Sequence, residues 1–400
     1  MFISGVAAAS TRFPLTAWYM GANRNDSTDV WEPLGSRVRR ADGANVQDRR
    51  HPRRRHRHGS GRRRLEVLKA CAARDGGFAL DVTHFDWSSE RYKKTGALMP
   101  ANGVETLKSY DAILFGAVGA PDVPDHVTLW GLRLAICQSL DQYANVRPTR
   151  ILNGIQSPLR DVRPQDIDWV IIRENSEGEY SGHGGRSHRG SNIEVATEVS
   201  VFTRAGVERI MHFAFDMARS RPRKLLTVVT KSNAQRFGMV LWDEVAGEVA
   251  AEYPDVACDK MLVDAMTARM VLQPASLDTI VATNLHADIL SDLAAALTGS
   301  IGLAPTANLN PERRFPSMFE PIHGSAFDIA GKGIANPLAT FWSAVMMLDH
   351  LGEAGASRGL MAAIERAAAD PALHTPDLGG RATTRDVTDA VRGFIRGQND

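Results

Sequence analysis

Residues 169–180 read W-V-I-I-R-E-N-S-E-G-E-Y. The run from Trp169 to Arg173 is short and apolar, ends in an arginine and then turns polar, the mark of a buried strand whose end opens onto a site. Leu225 to Thr230 (L-L-T-V-V-T) repeats the pattern, with Lys231 at its end. Tyr110 to Val118 (Y-D-A-I-L-F-G-A-V), closed by Gly119, is a third buried-strand candidate, and Phe78 to Phe85 alternates as a strand does. Helical spacing runs through Leu65 to Ala73, stopped by Asp75-Gly76-Gly77, and through Leu129 to Tyr143, Thr203 to Arg219, Met239 to Glu252 and Asp288 to Leu297. Strands alternating with helices predict an α/β architecture with its chemistry at the strand ends.

The 400 residues are too many for one domain of ordinary size, so two domains or two lobes are expected. With 44% apolar and 23% charged residues, a sizeable core is available. No apolar run of about 18 residues exists, so no membrane span or membrane partner is expected. Cys71, Cys137 and Cys258 are odd in number and share no metal spacing, which fits a reducing cytoplasm. The net charge of +1 hides an asymmetry: residues 1–64 hold 14 arginines against 5 acids, and the remainder is net acidic. The body of the chain is therefore not expected to bind nucleic acid. Residues 1–47 show no sustained period and read as a disordered or accidental extension. Residues 48–64, D-R-R-H-P-R-R-R-H-R-H-G-S-G-R-R-R, could be a nucleic-acid arm or a solvated charge run, but no aromatic is interleaved for base stacking.

Asp288 and Asp292, in N-L-H-A-D-I-L-S-D, lie four apart, on one face of a helix. Two carboxylates there repel mildly unless a cation sits between them, and all-oxygen donors suit Mg²⁺ or Mn²⁺; two solvent-facing aspartates are the plainer alternative. Asp264 is a lone acid in an apolar run. Arg133, Arg147 and Arg173 each follow or interrupt apolar segments, and guanidinium forks match carboxylates, so convergence would imply a diacid. Surface ion pairing is the competing account. Lys231, held near arginines and a metal, could act as a base, and Tyr180 as an acid. Gly324 and Ser325 begin a loop able to approach a dinucleotide closely, yet no G-x-G-x-x-G follows a strand, which argues against a Rossmann site.

Taken together, D-Q-Y-A-N-V-R-P (141–148), I-I-R-E-N-S-E-G-E-Y (171–180), T-K-S-N (230–233), N-L-H-A-D-I-L-S-D (284–292), N-P-E-R-R-F-P-S-M-F-E-P-I-H-G-S-A (310–326) and G-K-G-I-A-N-P (331–337) resemble the decarboxylating β-hydroxyacid dehydrogenases, the family of isopropylmalate and isocitrate dehydrogenases. The resemblance runs from about Leu65 to the C-terminus and is strongest to the branch acting on tartrate and D-malate. It implies a two-lobed isopropylmalate-dehydrogenase-like fold. Residues 65–142 and 302–400 would form a cofactor-side lobe, and 143–301 a lobe for dimerisation, substrate and metal.

The resemblance also implies a homodimer in which each site borrows Lys231 and Asp264 from the other subunit. Arg147, Arg173 and Tyr180 would meet a small diacid, and Asp288 and Asp292, with Asp264, would hold Mg²⁺ or Mn²⁺. Arg133 would stand where relatives choose the substrate's variable group. NAD would lie against Glu320, His323, Gly324, Ser325 and Ala326, with Asp328 at the adenosine ribose and Asn336 at adenine. Lys231 would take the hydroxyl proton and Tyr180 would protonate the enol carbon. Isopropylmalate is the nearest competing substrate, and a homologue that dimerises without turnover is the alternative of another class.

Departures from the pattern are Cys137, where relatives carry an arginine, Phe327 for a usual proline and His286-Ala287 for an aromatic-glycine pair. The family's first motif, I-P-G-D-G-I-G, is missing. Permitted codons for Asp48 to Ser60 nevertheless read, one base out of frame, I-A-V-I-P-G-D-G-I-G-T-E-V. A frameshift upstream, restored between Gly61 and Leu65, is therefore the favoured account of the basic run, and it places residues 1–64 outside the core or with low order.

Overall fold

The computed structural model describes residues 34–40 and 59–397. Its strands are β1 (Leu34–Arg40), β2 (Phe78–His84), β3 (Ala112–Leu114), β4 (Ala144–Arg150), β5 (Asp168–Glu174), β6 (Gly178–Ser187), β7 (Val195–Val201), β8 (Leu225–Thr230), β9 (Ala257–Leu262), β10 (Thr279–Ala282), β11 (Pro305–Leu309) and β12 (Ser317–Pro321). Ten of them form one sheet in the order β2-β1-β3-β12-β11-β4-β5-β10-β8-β9, and β6 and β7 pair apart as an antiparallel ribbon. The wing β5-β10-β8-β9 is parallel, as is β12 with β3, whereas β11 and β4 run antiparallel to their neighbours at the seam.

Helices cover both faces, which is why the strands read as continuous apolar runs. One core gathers Phe319, Phe341 and Trp342 with the helices Leu338–His350, Ala354–Ala369 and Thr384–Arg396. A second packs Trp242 and Phe215 from the helices Arg204–Ser220 and Gly238–Ala250 against β5 and β8, and a third sets Trp169 and Ile280 against the helices Val263–Leu272 and Asn284–Leu297. A fourth, around Trp87, Phe115 and Ile136, lies under the segment that carries Arg133. These cores flank one continuous sheet in the α/β fold expected, and Leu152 and Ile155, expected in the second lobe, pack into the first core. Local rules account for the helices: in Arg204–Ser220 the buried Val207, Ile210, Met211, Ala214, Phe215 and Ala218 recur at helical spacing, and Thr203 Oγ1 caps its start by accepting from the Gly206 N–H at 3.0 Å.

The structure departs from the sequence expectations in two places. Leu34–Arg40 pairs within the sheet, antiparallel to both β2 and β3, where residues 1–64 were expected outside the core or with low order. Residues 1–33 and 41–58, including most of the basic run, lie outside the described residues. The helix expected from Leu129 to Tyr143 instead starts at Asp125, passes without a break through a π-helical turn at Leu129–Arg133 and ends at Ser139, before β4 begins at Ala144. Among the described residues no helix is long and apolar enough to cross a membrane.

Candidate active site

The pleat of the central strands assembles the site. Residues directly opposite one another on paired strands share a face, as do residues two apart on one strand. Glu320 on β12 faces Thr306 on β11, Asn308 on β11 faces Asn145 on β4, and Asn145 faces Arg173 on β5. Arg147 lies two residues from Asn145. A row of polar side chains therefore crosses four neighbouring strands on one face. The helix Asn284–Leu297 packs over one end of this row and the Leu129–Arg133 turn over the other.

Each arginine is held in place. Arg147 donates from Nε to Asn145 Oδ1 at 2.8 Å, and from Nη1 to Ser291 Oγ at 2.5 Å and Asp288 Oδ1 at 3.1 Å. Arg173 donates from Nε and Nη2 to Asn284 Oδ1 at 2.9 and 2.6 Å, and from Nη1 to Asp288. Both guanidiniums are buried. Arg133 donates from Nε to Glu320 Oε1 at 2.8 Å and from Nη2 to Asn308 Oδ1 at 3.3 Å. It closes a π-helical turn, a feature frequent at functional sites. Cys137, one turn on, is sealed in the core.

Charge follows from these contacts. Burial and the neighbouring Arg173 push Arg147 down to about 10. Although burial works the other way, Arg173 and Arg147 hold the Asp288 carboxyl well below the usual carboxylate range. Asp292, exposed as a whole residue, has its carboxyl raised by packing around it and by Asp288. Tyr180 Oη donates to Asp288 Oδ2 at 3.4 Å with Arg173 over its ring at 5.3 Å, and burial, then Asp288, raises its phenol.

Arg133, Arg147, Arg173, Tyr180, Asp288 and Glu320 line one cleft of about 560 Å³, closed on its far side by His323, Gly324, Ser325 and Phe327. Gly119 lets that loop close: a Cβ there would stand 2.8 Å from the Phe327 ring and 2.9 Å from Ser325 Oγ. The remaining expected residues lie elsewhere. Ala326 and Asp328 are exposed, outside the cleft lining. Asn336 is buried, donating to Asp377 Oδ2 at 3.0 Å and accepting from the Leu338 N–H at 3.0 Å. Lys231 and Asp264, expected to serve the other subunit's site, are paired with each other at 2.5 Å and lie outside this chain's cleft lining. That pair lowers the Asp264 carboxyl. Among the described residues no three His, Cys, Asp or Glu side chains meet in a metal-binding group, so Asp264 does not join Asp288 and Asp292 within one chain.

The sequence reading missed Asn145, Asn284, Ser291 and Asn308, the residues that fix the guanidiniums. Two signals were present: Asn145 precedes Arg147 by one strand period, and Asn284, Asp288 and Ser291 recur at helical spacing.

A profile of the isocitrate/isopropylmalate dehydrogenase family matches residues 61–391. The chain belongs to this family. Among its relatives, a probable tartrate dehydrogenase/decarboxylase of Agrobacterium vitis is 69% identical over 335 residues, which cover 84% of this chain and 92% of that one. The D-malate dehydrogenase [decarboxylating] of Escherichia coli K12 is 51% identical over 338 residues, covering 83% and 93%. The crystal structure of isocitrate dehydrogenase from Methylococcus capsulatus superposes with a TM-score of 0.73 at 33% identity, covering 84% of this chain and 96% of that one. The resemblance read from the ordered motifs is thus established, and with it an oxidoreductase on an isocitrate/isopropylmalate dehydrogenase fold.

Proposed function

We propose that the protein oxidises and decarboxylates a small 2-hydroxy diacid, tartrate or D-malate, using NAD and Mg²⁺ or Mn²⁺, as a homodimer in the cytoplasm. The observation that supports this is the convergence of Arg133, Arg147, Arg173, Tyr180 and Asp288 in one cleft, against the loop of His323, Gly324 and Ser325. The donor set fits a divalent ion in part: Asp288 and Asp292 are all-oxygen donors one turn apart on the helix Asn284–Leu297. Asp264 would complete the set from a second copy, bringing Lys231 with it.

When bound, the ion supplies Lewis acidity at the substrate hydroxyl and NAD supplies the hydride acceptor. Arg147 and Arg173 hold substrate carboxylate, their forks fixed by Asn145, Ser291 and Asn284. Lys231 of the second copy accepts the hydroxyl proton. Tyr180, kept protonated, donates to carbon after CO₂ departs. Arg133 and Glu320 place charge where isopropylmalate would need an apolar wall.

NADH formation from a panel of diacids, with and without chelator, tests the proposal. Metal-dependent turnover of tartrate or D-malate is expected. No turnover with any diacid would leave a homologue that dimerises without catalysing.

A further inference from the structure

Resting on the reading above, we propose that Glu174 is a positioning residue for the diacid. From the far face of the sheet it sets the turn between β5 and β6 and, through Asn284, the Arg173 fork. Arg173 faces the cleft, so Glu174, next along β5, faces away from it. Glu174 is 2% exposed, and Ala144, opposite it on β4, belongs to the second core. Its two oxygens close the turn that follows. Oε1 accepts from the Ser176 N–H at 2.9 Å and from the Ser176 hydroxyl, and Oε2 accepts from the Glu177 N–H at 2.9 Å. Burial pushes its carboxyl up to about 7, so the core carries a costly group at this position.

The far side of the turn reaches the cleft. Glu177 O accepts from Asn284 Nδ2 at 3.3 Å. An amide has one accepting oxygen, so holding the nitrogen there turns Oδ1 toward Arg173. That oxygen accepts from Arg173 Nε at 2.9 Å and Nη2 at 2.6 Å. Asn175, within the same turn, donates from Nδ2 at 3.1 Å to Asn308 Oδ1, which also accepts from Arg133. The turn therefore touches two of the asparagines that fix guanidiniums. An ionised carboxylate only accepts, which suits three donors. Glutamine would set its NH₂ against the Ser176 or the Glu177 N–H, whichever way its amide turned. Either clash moves the turn and draws Glu177 O away from Asn284.

The test separates positioning from stability. Glu174→Gln should raise KM for D-malate about tenfold, the lower end for a hydrogen bond to a charged group, with KM for NAD unchanged. Val249→Ala, which opens a cavity in the second core, is the control: it should lower stability and leave both KM values unchanged. In a double-mutant cycle, Asn284→Ala should absorb most of the Glu174→Gln effect, since both act along one path. Where Glu174→Gln does not fold, Ser176→Ala, which removes one donor, should raise the same KM about threefold. Dissociation constants for D-malate from calorimetry give the same ratios where turnover is absent. An unchanged KM for D-malate in the variant that folds, an equal rise in KM for NAD, or additive effects in the cycle overturn the proposal. Ratios that shift in binding while wild type turns over no diacid uphold it and overturn the functional reading alone. A wild type that binds no diacid overturns both.

Discussion

Two aspartates one turn apart on the same helix should respond to the same substitution with opposite signs. Asp288 sits between Arg147 and Arg173, whose side chains are 5% and 2% exposed. Asp288→Asn would leave two buried guanidiniums without their shared counter-ion. Breaking a buried pair costs about 3–5 kcal/mol. The loss should fall below that range, about 1.5–3 kcal/mol, because the Asp288 side chain is itself 37% exposed and screened by solvent, and Asn145, Ser291 and Asn284 still bind both forks. Asp292 has no such partner and its carboxyl is raised, so Asp292→Asn removes a like-charge neighbour. That should stabilise the metal-free protein by about 0.2–0.5 kcal/mol. The pH dependence follows from the direction of each shift. Asp288 is depressed, so its contribution is complete above the ordinary carboxylate range and is lost as pH falls below about 4. Asp292 is raised, so the relief from Asp292→Asn appears above that range and vanishes in acid. Denaturant unfolding in chelator, at neutral and acid pH, measures both. A neutral or stabilising Asp288→Asn, or equal signs for the two variants, would refute the reasoning.

Lys231→Ala should cost about 10²–10⁴-fold in hydroxyl oxidation, whereas Tyr180→Phe should slow protonation after CO₂ loss more than hydride transfer; equal reduction of a supplied keto intermediate by both variants would contradict the division. Gly119→Ala should raise KM for NAD with little change in KM for the diacid, since the added methyl meets Phe327 and Ser325; steady-state kinetics with each substrate varied reads this, and an unchanged KM for NAD argues against a cofactor role for the loop. Sequencing the DNA for Asp48 to Ser60 should show an alternate frame encoding a Gly-Asp-Gly loop, and its absence would make the basic run a genuine segment.

Much of the architecture could be read from local pattern. Leu225–Thr230 has its expected bounds because a strand buried on both faces has little freedom in composition. Arg147, Arg173 and Asp288 were legible because each closes an apolar segment or sits at a fixed helical offset. The β6–β7 ribbon was not legible: β6 is glycine-rich, and the alternation of Val195, Thr197, Val199 and Val201 in β7 lies on a strand that is exposed rather than packed on a core. Tyr110 to Val118 promised a longer strand than Ala112–Leu114, since the chain leaves the sheet soon after Phe115, whose N–H donates to Phe319 O at 2.8 Å. The Arg133–Glu320 pair spans 187 positions and depends on strand order. Spacing alone could place Arg133 near the site but could not supply its counter-ion.

The central claim is that this cleft couples oxidation of a hydroxy diacid to loss of one carboxylate. The most direct measurement is the ratio of CO₂ released to NADH formed, with Mn²⁺ present and tartrate or D-malate as substrate. The account predicts one CO₂ for each NADH, with both abolished by chelation. NADH formed without CO₂, or product formation indifferent to chelator, would contradict it.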